Sequence, residues 1–342
     1  MTIVGVVAHH TPLAASDTAQ LATALCSLKE AVFILEQRGR AIDIKTLRNI
    51  TYHFANRARE AQKSTRALTS EDVAGKRCAV SLDGGRIRIR RPKRGKRTAK
   101  NRRRFHAHWR EPKLLHIWLL DDDGTVCASF APWIDGTMKG PDALFMLLSY
   151  YLRAIGITAA TQVLFIADGA PWIWNRIPDL IVKIGLDPAK VRQIVDFYHA
   201  VQHLNAVASL RKGWSVKRRR QWVSRQTSYL RNGRNELVVE AVREITRGRH
   251  SKLINRERAY FQSNLHRMQY ARSRKCNLPI GSGPMESAIR RIINLRMKGN
   301  GIFWLEENAE AMIMLRSFYK AGRWNDLYRL ATLPTHGSII DK

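Results

Sequence analysis

The sequence predicts a mixed α/β fold, and three observations predict it. Short apolar runs separated by turn residues come first, over residues 78–134. Strand-like and helix-like stretches then alternate over residues 141–204. Beyond that, residues 206–275 carry only helical spacing. Consecutive strands joined by turns give antiparallel neighbours, and strand–helix–strand units give parallel ones, so one sheet of mixed direction satisfies both patterns.

The elements follow in order. Residues 1–75 read as an N-terminal helical segment. Leu21, Ala24, Leu25, Leu28, Val32 and Leu35 keep a period near 3.6 within 17–39, and 44–61 forms a second, more basic helix. The pair suits either DNA contact or simple packing. Residues 78–82 are a short apolar strand running into Asp83-Gly84-Gly85. The alternating RIRIRR of 86–91 reads as its continuation past a glycine bulge. Residues 114–120 form the second strand, Asp121-Asp122-Asp123-Gly124 a solvated turn, and 125–134 the third strand. A helix over 141–156, a strand over 161–167, a helix beginning in APWIWNRIPDLI, a strand over 191–195 and a helix through FYHAVQHL complete the alternation.

Residues 206–275 hold 19 Lys or Arg against four Glu and read as a basic helical insertion. In 281–299, Gly283 suits an N-cap, Pro284 the first helical position and Glu286 the first turn. Regular helical spacing would put Glu286, Arg290, Ile293 and Met297 on one face. A further helix is expected at 306–316. The expected division is 1–75, a core in two parts (76–205 and 276–320), the 206–275 insertion, and a C-terminal tail over 321–342.

The charge is extreme: 59 Lys and Arg face 28 acidic residues in 342, a formal net charge of +31. Such a balance anticipates a polyanion, above all nucleic acid. Between 86 and 110 there are 13 basic residues and no acid. Arg86, Arg88, Arg90, Arg91, Lys93, Arg94, Arg102, Arg103 and Arg104 are the candidate phosphate contacts, with 93–104 a solvated loop. No apolar run reaches the length of a membrane span. MTIVGVVAHH lacks the basic start of a signal peptide, so a cytoplasmic, nucleoid-associated protein is expected. Cys26, Cys78, Cys127 and Cys276 lie too far apart for a zinc ribbon or a disulfide framework.

Asp83 and Asp168 each close an apolar strand and precede a glycine, which could leave room for a phosphate. On neighbouring strands their carboxylates would repel unless a proton or cation sat between them. Mg2+ or Mn2+ with oxygen ligands answers that need, and Glu286 would complete the set. Trp172 and Trp174 read as packing residues or as wedges against an unstacked base. Asp196, His199 and His203 could in principle hold zinc.

SLDGG at 81–85, ADGAPWIW at 167–174, DFYHAVQHL at 196–204 and GSGPMESAIRRIINLRMKGNG at 281–301 together resemble the DDE-type transposases of bacterial insertion sequences. The likeness is to the ISKra-like and ISLre-like groups, relatives of the Mutator class, and covers roughly residues 76–320. It implies a ribonuclease H-like fold with a helical insertion before the last acidic residue. It also implies a catalytic triad of Asp83, Asp168 and Glu286, supported by Asp196 and His199. Arg290 and Arg291 would join the basic arm on DNA, with element ends and target as substrates of a homo-oligomer. About 75 residues precede the first strand, fewer than such transposases usually carry for recognising element ends. A nuclease of the same fold, and a nucleic-acid-binding derivative without activity, stay open as alternatives.

Overall fold

The computed structural model describes residues 10–63 and 73–333. Helices α1 (Pro12–Ala24), α2 (Leu28–Gln37) and α3 (Ile44–Ala61) open it. The helix expected over 17–39 is divided because a cap forms inside it. Ser27 accepts a hydrogen bond from Glu30 N, while Glu30 accepts one back from Cys26 N.

Strands β1 (Arg77–Gly84), β2 (Ile87–Pro92), β3 (Phe105–Arg110), β4 (Lys113–Leu120) and β5 (Trp133–Thr137) follow. Then come α4 (Pro141–Ala154), β6 (Gln162–Ala167), α5 (Pro171–Trp174), α6 (Ile177–Ile184) and β7 (Val191–Val195). Five strands make one sheet in the order β5-β4-β1-β6-β7. The β5–β4 and β4–β1 pairs are antiparallel, and the β1–β6 and β6–β7 pairs parallel. The mixed sheet is therefore present.

Two sequence expectations change here. Residues 78–91 are not one bulged strand: the chain leaves the sheet at Gly84-Gly85, and β2 pairs with β3 in a separate two-stranded ribbon. The cause is steric. Gly85 lies under Ile293, where a Cβ would collide with that side chain, and Gly85 N–H bonds to Pro112 O at 3.0 Å. The basic stretch is thus a built ribbon whose tip spans 93–104. The third sheet strand starts only at Trp133, since Val126 makes a single bridge to Leu120.

Leu114 and Leu115, adjacent on β4, point to opposite faces and enter different cores. The larger core packs α3, α4 and α6 against the sheet. The smaller gathers Ile87, Ile89, Ile134, Ile292, Ile293, Met312 and Ile313.

The insertion is helical, as its spacing implies. α7 (Phe197–Ser209) leads into α8 (Val216–Arg231), α9 (Asn235–Ile245), α10 (Lys252–Asn264) and α11 (Tyr270–Lys275). Next, α12 (Gly283–Ile289) starts from Ser282, not Gly283, as its N-cap. It passes into a π-turn at Arg290–Asn294, where Leu295 N–H bonds to Arg290 O. The wider turn breaks the expected common face. Glu286 and Arg290 are exposed, whereas Ile293 and Met297 are fully buried.

Helix α13 (Glu306–Lys320) is followed by α14 (Trp324–Thr332), inside the stretch expected to be a tail. Trp324 stacks on Phe54 and donates to Ser16 Oγ at 2.9 Å, so α14 joins the N-terminal helices to the body. Among the described residues no helix is long and apolar enough to cross a membrane.

Candidate active site

The strand register assembles the site. β1 and β6 run parallel with Val80 paired to Phe165; Asp83 and Asp168 each follow three residues later, and the Asp168 charge acts on Asp83. β6 and β7 pair Ala167 with Val195, which sets Asp196 beside Asp168. Three aspartates therefore stand at the carboxyl ends of three adjacent parallel strands, where open α/β sheets place their ligands.

Two of the three are only half satisfied. Asp83 Oδ1 accepts Gly84 N–H at 2.6 Å, and Asp168 Oδ1 accepts Ala170 N–H at 3.0 Å. Among the described residues no hydrogen bond reaches the second oxygen of either. Burial, with the Asp168 charge adding to it, pushes the Asp83 carboxyl up to about 6. Burial also raises Asp168, against the opposing pull of the Ala170 N–H, His199 and Lys113. Trp174, buried, donates from Nε1 to Asp168 O at 2.6 Å and so fixes the Asp168 turn. Packing, not base wedging, is its role.

Asp196 differs. It is fully buried and both oxygens are used. Oδ1 caps α7 by accepting Tyr198 N–H at 2.7 Å and His199 N–H at 3.0 Å. Oδ2 accepts Ser282 N–H at 2.5 Å and Ser282 Oγ–H at 2.6 Å. Burial alone would raise its pKa, but the His199 and Ser282 contacts outweigh that and hold it at about 2. One carboxylate thus ties the start of α7 to the start of the Glu286 helix.

Glu286, His199 and Asp196 offer ligand atoms that all lie within 4.8 Å of one another. No other such group of three forms among the described residues, so Asp83 and Asp168 sit in no tight cluster with Glu286. His199 links the two halves. Its Nδ1 is 3.4 Å from Asp196 Oδ1, an ion-pair contact out of hydrogen-bonding alignment. The Asp196 contact raises its pKa against burial, and the charges of Asp168 and Asp83 add to the rise.

Other expectations need correction. The space beyond each Asp-Gly is not free for phosphate: a Cβ at Gly84 would strike the Glu111 carboxylate, and one at Gly169 the Tyr260 ring. A zinc set of Asp196, His199 and His203 does not form. His203 Nδ1 lies 2.5 Å from Glu257 Oε2, and its ring stacks on Tyr260. Arg291 does not face outward; Nη1 reaches Lys320 O at 3.4 Å, at the end of α13. Arg290 is exposed, as are Arg86, Arg90, Arg91, Lys93, Arg94, Arg102, Arg103 and Arg104, while Arg88 is half-buried.

Sequence reasoning missed Glu111 and Lys113. The charge of Glu111 acts on both Asp83 and Asp168. Lys113 pairs with Glu111, lies 4.2 Å from the Trp172 ring centre, and is almost wholly buried. Only the pairing of Gly84 with Lys113 across β1 and β4 brings them here, and no local motif encodes it.

No protein-family model matches the sequence, and no curated protein is similar to it.

Asp196→Asn gives a direct check on the clamp. Its amide would turn an NH2 toward one of two sets of donors and leave buried groups unpaired. A loss of roughly 1–3 kcal/mol in urea denaturation is expected. Parent-like stability would mean that the four contacts carry no net weight.

Proposed function

We propose that this chain is a divalent-metal-dependent DNA transposase of a bacterial insertion sequence, built on a ribonuclease H-like sheet. The observation that carries the reading is the placement of Asp83 and Asp168 side by side on adjacent parallel strand ends, with the Glu286 helix tied to the next strand through Asp196. The sheet order, three antiparallel strands flanked by two parallel ones, accords with that fold. The motif resemblance over residues 76–320 points the same way.

The residues fit the implied ion. Among the described residues Asp83 and Asp168 each keep an oxygen without a hydrogen-bond partner, and burial raises the pKa of both. Hard oxygen donors of this kind suit Mg2+ or Mn2+. Asp83 and Asp168 would hold the metal, which when bound would activate the attacking oxygen and stabilise the leaving one; Glu286, grouped with Asp196 and His199, would have to move toward them to join the set.

The chain's own groups do the rest. The Gly84 and Ala170 N–H groups orient the two aspartates, and Trp174 anchors the Asp168 turn. Asp196 positions α12 and raises the pKa of His199. Arg290 and the exposed arginines of the ribbon bind DNA phosphates. Strand cleavage at the element ends and joining of the freed 3′-hydroxyl to target DNA would follow, in an oligomer that brings two ends together.

The test uses DNA from the two flanks of the gene, where an insertion sequence would carry inverted repeats. Purified protein with Mg2+ should cut these ends and join them to target, and Asp168→Asn should reduce joining by at least about a thousandfold, as expected for loss of a principal electrostatic group. Undiminished joining by the variant would remove Asp168 from the mechanism. Cleavage without joining by the parent would instead establish a nuclease.

A further inference from the structure

We propose that Trp109 is a stacking platform for an unpaired nucleobase, which makes the β2–β3 ribbon a single-stranded DNA site beside the carboxylates. Trp109 lies on β3 opposite Arg88, and 49% of its surface is open to solvent. Trp109 is the only exposed tryptophan among the described residues. Three cations surround it: Arg86 at 5.5 Å, Arg88 at 5.7 Å and Lys298 at 6.0 Å from the ring centre. An aromatic face among basic groups is the pairing that single strands require, with stacking for the base and charge for the flanking phosphates. In a duplex the base faces are covered by their neighbours, and the indole would add nothing to the cations.

The platform is rigidly mounted. Arg90 N–H bonds to Trp304 O and Trp304 N–H to Arg88 O, both at 2.9 Å, and Arg88 also donates to Gly299 O. Arg88 lies across the Phe303 ring at 4.6 Å, and Phe105 packs edge-on against the same ring. The ring also precedes β4, the neighbour of the strand that bears Asp83. Four residues separate it from Lys113, the partner of Gly84, or roughly 13 Å of extended chain.

The inference rests on the nucleic-acid reading above but not on its metal chemistry, so the test omits divalent ions. The full chain carrying Asp168→Asn is titrated into a fluorescein-labelled oligodeoxynucleotide, single-stranded or as a duplex of the same sequence. Added Trp109→Ala should weaken single-strand binding by about tenfold or more, the range for one lost base–aromatic stack. Trp109→Phe should restore most of it, and duplex binding should change by less than about twofold. Equal loss on both forms would mean a groove contact by the ribbon, and no loss would mean no base contact; either overturns the platform. Circular dichroism of each variant separates these outcomes from misfolding. A parent that binds single strands through Trp109 yet never joins DNA would refute the transposase while leaving this site intact.

Discussion

Asp83→Asn is expected to make the metal-free protein more stable at pH 8 and to abolish its response to Mg2+. The folded pKa of Asp83, about 6, lies above the ordinary value of 3.8. The folded state therefore holds this proton more tightly than the unfolded state does. That contribution is complete below about pH 4 and is lost as pH rises through about 6. At about 1.4 kcal/mol per unit, and reduced for the partial solvent contact of the carboxylate, the loss is about 1–3 kcal/mol. The neutral amide avoids it. A bound cation also avoids it, so the Mg2+-induced rise in Tm should be large at pH 8 and small at pH 5. Thermal melts of parent and variant, with and without millimolar Mg2+ at both pH values, give the answer. An equal Mg2+ shift in the variant would take Asp83 out of the ion site.

The second large effect concerns stability alone. Asp135, on β5, is fully buried and accepts five hydrogen bonds. They come from Arg59 Nη1 at 2.7 Å, Arg59 Nη2 at 3.0 Å, Tyr151 Oη at 2.7 Å, Gln62 Nε2 at 3.2 Å and Gly136 N at 2.7 Å. Arg59 and Gln62 belong to the N-terminal helical segment and its end, so this carboxylate fastens that segment to the sheet. Arg59→Met would strand a buried charge, at a cost of about 3–5 kcal/mol. Replacing both partners, as in Arg59→Met with Asp135→Leu, should recover part of the loss because no lone charge remains. Urea denaturation measures both. A loss under about 1 kcal/mol in the single variant would show that the pair contributes little.

The strands that bear the acidic residues were legible because each is an apolar run closed by Asp, a signal confined to a few neighbouring residues. Asp83 and Asp168 needed only the inference that their strands are neighbours. The π-turn at Arg290–Asn294 was not legible, because the isoleucine spacing fits a regular helix as well and the extra residue is set by packing on Gly85 and α13. The ribbon was hidden for a related reason. Residues 105–110, FHAHWR, are exposed along almost their whole length and show no apolar alternation, so only pairing with β2 makes them a strand. Glu111, Lys113 and Asp135 acquire their partners through register and tertiary contact, which single-sequence periodicity does not carry. α14 followed a glycine and lay where a tail was expected, although Leu327, Leu330 and Ala331 do keep helical spacing and are buried.

The contact of Gly85 with Ile293 has a mechanical consequence. The ribbon leaves the sheet two residues after Asp83 and rests at this point on the segment that continues the Glu286 helix. Any load applied at the tip therefore passes through one glycine-sized joint into both acid-bearing arms together. A bulkier residue at position 85 would pry those arms apart even with every acidic group intact.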